Sequence, residues 1–179
     1  MGTIKTTNIE SISGSGTVTL GTSGETFTVP TGVTISGGLT NTPAWFVTKS
    51  STQSVADSTF TDVTFDTEEI DSDNAFSTPN FTCPSGKAGR YFVFGQIRFE
   101  TATDFSYSLC RIVHNSTNIV AGWDRNDDYT TINCEGMVTL AETDTLKLQA
   151  RQQSGGALNL GHNDQGHVTY FGGYKLIGV

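Results

Sequence analysis

The chain has 179 residues, with 18 acidic side chains against 10 Lys and Arg and a formal net charge of −8. That balance excludes a nucleic-acid surface, which needs clustered Lys and Arg, and no stretch approaches the roughly 20 apolar residues of a membrane-spanning helix. Apolar residues make up 35 % and charged residues 16 %; Thr, Ser, Asn and Gly fill the difference, which suits strands with one polar face rather than helices.

Residues 1–42 differ from the rest. Lys5, Glu10 and Glu25 are their only charges, and short apolar pulses recur at Ile9/Ile12, Val18/Leu20, Phe27/Val29 and Val33/Ile35 between Gly-Ser and Pro-Thr-Gly turns. This spacing predicts a small winding β-structure, too thin in apolar side chains to bury a core by itself. The alternation in Thr17-Val18-Thr19-Leu20 and Glu25-Thr26-Phe27-Thr28-Val29 favours a segment that folds against copies of itself, as a threefold stalk or attachment segment, over a linker. Met1-Gly2-Thr3-Ile4-Lys5 carries no apolar signal-peptide core.

Asn41-Thr42-Pro43 marks a boundary, and residues 43–179 form a second, more aromatic region. Strands are expected at about 44–49, 59–65, 75–82, 90–101, 105–114, 117–123, 130–140, 145–153 and 167–178, separated by Asn, Asp and Gly turns. No helix intervenes, so the region reads as a sandwich or jelly roll. Its organising stretch runs from Phe81 to Glu100. Pro84, Gly86 and Gly89 make a turn, and the strand after it places Tyr91, Val93 and Gly95 on one face and Phe92 and Phe94 on the other. Apolar residues on both faces predict a central strand buried on both sides. Cys83, Cys110 and Cys134 cannot all pair within one chain, so buried free thiols and synthesis in a reducing cytosol are expected.

Phe65, Asp71, Phe76, Gly89 and Tyr91 stand at the spacing of the signature of complement C1q-like globular domains. Val138-Thr139-Leu140, Leu146-x-Leu148 and the closing Phe171-Gly172-Gly173-Tyr174-Lys175-Leu176 are similar to the rest of that pattern, so the resemblance covers roughly 44–179. Cys83, Val93 and Gly95 depart from it, standing where the family has aromatic residues. The resemblance implies a jelly roll of two antiparallel sheets that assembles as a compact homotrimer, binds through surface loops and is not an enzyme. Residues 1–42 lack the every-third-residue Gly of collagen. In composition they resemble the N-terminal segments of bacteriophage virion proteins that precede a C1q-like or TNF-like head.

Asp124-Arg125-Asn126-Asp127-Asp128 could offer hard oxygen ligands to calcium through Asp124, Asp127 and Asp128, but it lacks the Gly and terminal Glu of an EF-hand loop and reads first as a solvated turn. No other cofactor is expected. The acidic run Asp62, Asp66, Glu68, Glu69, Asp71 and Asp73 reads as solvated loop. His114, His162 and His167 fall in presumed turns. No hydrolase elbow, zinc-protease helix or phosphate loop is present. Trp45 and Phe46 suit the core, whereas Trp123 with Arg125 is the candidate ligand contact, an amphipathic ring able to stack on a sugar.

These readings converge on an all-β, non-enzymatic virion protein of a phage, made in the host cytoplasm: a tail fibre, capsid decoration or tail appendage. Its partners would be itself, as a homotrimer, other virion proteins, and a glycan or protein of the host surface, with no nucleic acid and no membrane insertion. A secreted or surface lectin-like binding module is the alternative.

Overall fold

The computed structural model describes residues 41–100, 106–125, 131–161 and 166–177, together with 26, 28, 31 and 32. The chain separates into two units, Met1–Ser36 and Gly37–Val179. Nearly all of the expected stalk lies outside the described residues, as do Asp127, Asp128 and His162.

The second unit is built of strands: β1 (Ala44–Thr48), β2 (Gln53–Val55), β3 (Thr61–Asp62), β4 (Thr67–Asp71), β5 (Phe76–Ser77), β6 (Asn80–Thr82), β7 (Gly89–Arg98), β8 (Tyr107–His114), β9 (Thr117–Asp124), β10 (Thr131–Leu140), β11 (Thr145–Gln153), β12 (Leu158–Leu160) and β13 (Tyr170–Lys175). One antiparallel sheet runs β10-β7-β13-β1-β4. The other runs β5-β6-β11-β8-β9, with β3 also on β11, and β12 pairs with β2 as a short third ribbon. The two large sheets pack face to face as a jelly-roll sandwich.

Alternation decides which side chains fill the space between them. Trp45 and Val47 of β1, Tyr91, Val93 and Ile97 of β7 and Phe171 of β13 point inward from the first sheet, and Phe81, Ile112, Leu146, Leu148 and Ala150 from the second. Each large side chain removed from water in this way contributes about 1.5–3 kcal/mol. The signature residues have separate mechanical roles. Phe65 and Phe76 are core residues, while the Asp71 carboxylate accepts hydrogen bonds from the backbone N–H of Ala75 and Phe76, both at 2.9 Å, and so shapes the turn between β4 and β5. The buried Tyr91 donates its hydroxyl to the Lys87 carbonyl at 2.7 Å, tying down the turn before β7.

Several elements depart from the sequence expectation. The acidic run is not a plain loop, because Thr67–Asp71 is the edge strand β4, paired to β1 across a bulge at Phe46/Val47. Charge on an edge strand obstructs pairing with further chains, so it marks this strand without arguing against it. The expected strand 75–82 is a hairpin that turns at Thr78-Pro79, with Ser77 opposite Asn80. The three-residue strands β2 and β12 are too short to show an alternation. The organising strand β7 lies one place in from the sheet edge, with β13 in the centre; its Phe92/Phe94 face is only half-buried.

Candidate functional site

That half-buried face extends across the whole first sheet. From edge to edge it carries Met137 of β10, Phe92 and Phe94 of β7, Tyr170 and Tyr174 of β13, Phe46 of β1 and Ile70 of β4. The registers Met137↔Phe92, Phe92↔Tyr174, Phe94↔Gly172, Phe46↔Gly172 and Phe46↔Ile70 put these residues on one side. The rings form a chain: Phe92–Phe94 at 6.1 Å, Phe92–Tyr174 at 5.8 Å, Phe94–Tyr170 at 6.2 Å and Phe46–Tyr170 at 5.5 Å between centroids. Gly172 sits beneath them, and a Cβ there would come within 2.7 Å of the Phe94 ring. Met137 at 71 % and Ile70 at 53 % exposure close the two edges. Contiguous apolar surface of this kind is a feature of protein–protein contacts, ligand grooves and aggregation-prone faces alike.

One end of the face is polar. Tyr170 donates to Gln96 Oε1 at 3.1 Å, and Gln96 Nε2 donates to the Val168 carbonyl at 2.9 Å. Phe94, Gln96, Asn133, Glu135 and Tyr170 line a depression of about 440 Å³ there. Partial burial, and then the Glu135 carboxylate, push the Tyr170 hydroxyl up from its ordinary range. Phe46, expected in the core, belongs to this face and meets His167 edge-on at 5.6 Å.

The outer face of the second sheet has a different chemistry. The Arg111 guanidinium lies 3.3 Å from the centroid of Phe60, and that of Arg151 lies 5.3 Å from Phe60 and 5.9 Å from Tyr107. Tyr107 faces Trp123 at 6.4 Å, and the Arg125 guanidinium lies 5.9 Å from Trp123. The outcome is a ladder of cations and rings running Arg111, Phe60, Arg151, Tyr107, Trp123, Arg125, with Trp123 63 % exposed. Beside it, Lys147 Nζ meets Asp62 at 2.8 Å and Gln149 donates to the same carboxylate at 2.6 Å. Of the residues singled out in the sequence, Trp123 and Arg125 belong to this ladder. Phe60, Tyr107, Arg111 and Arg151 were missed; odd-numbered positions of β8 and β11 carry the signal for the last three once those strands are aligned, whereas Phe60 precedes β3 and carries none.

The remaining candidates take structural positions. Asp124 ends β9 and accepts the Arg125 N–H at 2.7 Å. Among the described residues, no three of His, Cys, Asp and Glu are grouped to hold a metal ion. His114 Nε2 meets Asp144 at 2.8 Å, and His167 lies 3.9 Å from Glu69. Cys83, Cys110 and Cys134 are buried and free. Burial pushes the Cys83 thiol up, against a 3.6 Å contact with the Tyr91 hydroxyl.

No protein-family model matches the chain, and no curated protein sequence does. Solved structures do match. The globular domain of zebrafish complement 1qA is similar over 75 % of this chain and 97 % of its own, at 18 % identity and a TM-score of 0.50. Murine APRIL at pH 8.0 is similar over 74 % and 98 %, at 15 % identity and 0.57, and Eiger TNF from S. frugiperda over 76 % and 93 %, at 12 % identity and 0.54. At these identities the likeness establishes the fold, a C1q/TNF-like jelly roll.

Proposed function

We propose that the chain is a non-enzymatic structural protein of a phage virion, a fibre, head decoration or tail appendage, which assembles as a homotrimer. The aromatic face of the first sheet is the observation that carries the assembly. Seven apolar side chains on one side of a β-sheet are costly to leave in water, and three copies packed about an axis would cover them, which is also the assembly implied by the C1q-like resemblance. The second sheet would then face outward and offer its cation–aromatic ladder to a host surface or a neighbouring capsid protein. The virion setting is supported by the Thr/Ser/Gly-rich character of residues 1–42.

Two measurements separate the parts of this reading. Light scattering should give about three times the 19.1 kDa chain mass; a monomer at every concentration would overturn the trimer. Mass spectrometry of purified particles should find the chain among the virion proteins. Its absence would overturn the virion setting and leave the trimer standing. The second reading, a secreted or surface lectin-like module, is favoured by the exposure of Trp123 beside Arg125; it requires glycan binding by the isolated trimer.

A further inference from the structure

Cys110 on β8 and Cys134 on β10 belong to opposite sheets, and their sulfurs lie 3.2 Å apart in the core. Facing sheets ordinarily stand about 10 Å apart, whereas a disulfide needs its Cα atoms within about 4.4–6.8 Å. At this place the edge strands β9 and β10 of the two sheets come into close contact. Gly122 pairs with Cys110 in the β8–β9 ladder, and a Cβ on it would lie 1.9 Å from the carbonyl oxygen of Asn133, the neighbour of Cys134. Only glycine lets β9 reach backbone contact with β10, and that contact lies directly beside the two cysteines.

We propose that Cys110 and Cys134 are a redox-convertible pair, reduced when the chain folds and joined by an inter-sheet disulfide once an oxidant reaches them. With an azodicarboxamide oxidant the step balances. Two S–H bonds break, one S–S bond forms, and the two hydrogens and two electrons reduce the N=N bond to a hydrazine. Burial, and the sulfur of Cys134 beside it, push the Cys110 thiol well above the ordinary thiol range, so this buried thiol reacts slowly and through local opening. Cys83 stands apart, its sulfur turned to Tyr91. The bond would close a loop of roughly two dozen residues and add stability that the reduced chain lacks. This inference does not rest on the virion reading.

The test uses the full chain, treated with diamide while folded, then denatured, alkylated and cleaved with trypsin. The three cysteines fall in separate peptides, 50–87, 99–111 and 126–147. The expected product links 99–111 to 126–147, leaves Cys83 alkylated, and melts several degrees above the reduced protein. Cys110→Ala should abolish both the link and the rise; should that variant fail to fold, the wild-type peptide map alone decides. A link through Cys83, three alkylated thiols after prolonged oxidation, or an oxidised form that melts below the reduced one would each overturn the proposal.

Discussion

Trp45 of β1 lies flat on Phe81 of β6, with ring centroids 3.8 Å apart and planes 14° apart. The pair joins the two sheets, and Phe171 closes on Trp45 edge-on at 5.6 Å. Phe81→Ala would strip one side of the stack and leave a cavity, so the variant should lose about 3–5 kcal/mol in denaturant unfolding. A loss below about 1 kcal/mol would mean that the stack does not hold the sheets together.

The open face of the first sheet makes a different prediction. Phe94→Glu places a charge in the middle of the aromatic chain, where the lone protomer can hydrate it and a packed trimer cannot. The variant should keep its β-type circular dichroism and scatter light as a monomer. A trimer that tolerates this change would place the subunit contact elsewhere.

Trp123 is largely exposed, so Trp123→Ala should alter stability by no more than about 0.5 kcal/mol. Under the function proposed above, the same change, and Arg125→Ala separately, should weaken attachment of the trimer to host cells. Unchanged attachment by both variants would remove the ladder from the contact surface.

Acid sensitivity should reside in a few carboxylates. Hydrogen bonds from the Asn115 side chain, the Ala141 N–H and His114 lower Asp144 from the ordinary 3.8 to about 2. Asp57 is also lowered, first by the Gly155 N–H. A carboxyl depressed on folding stabilises the protein above its unfolded value, and that stabilisation disappears as pH falls through the folded value. Stability should therefore hold down to about pH 4 and decline from there to about pH 2. Asp144→Asn should flatten part of that decline, measured as urea midpoints at fixed protein concentration; an identical slope would assign the acid loss to other groups.

Calcium should make no difference to melting. The loop from Asp124 lacks the ligand spacing of a dedicated site, so scans in excess EDTA and in millimolar calcium should coincide. A rise of several degrees in calcium, abolished by Asp127→Asn with Asp128→Asn, would make the loop a metal site.

The all-β class and most strand positions were legible in the sequence, because each depends on local alternation. Period two alone put Tyr91 with Val93, and Leu146 with Leu148, on a common face, and Pro84, Gly86 and Gly89 marked the turn; which face of β7 is the inner one was not decided, since both are apolar. Trp123 could be read as exposed because polar and acidic residues follow it directly. Strand pairing was not legible at that level, since register joins residues far apart in the chain. It is register that sets Phe46 beside Ile70 and Tyr170 on the open face rather than in the core, and that places Arg151 and Trp123 either side of Leu109, between Tyr107 and Arg111. Only the packing of one sheet on the other brings Cys110 to Cys134, because that distance depends on how closely Gly122 lets two backbones approach, which no spacing along the chain encodes.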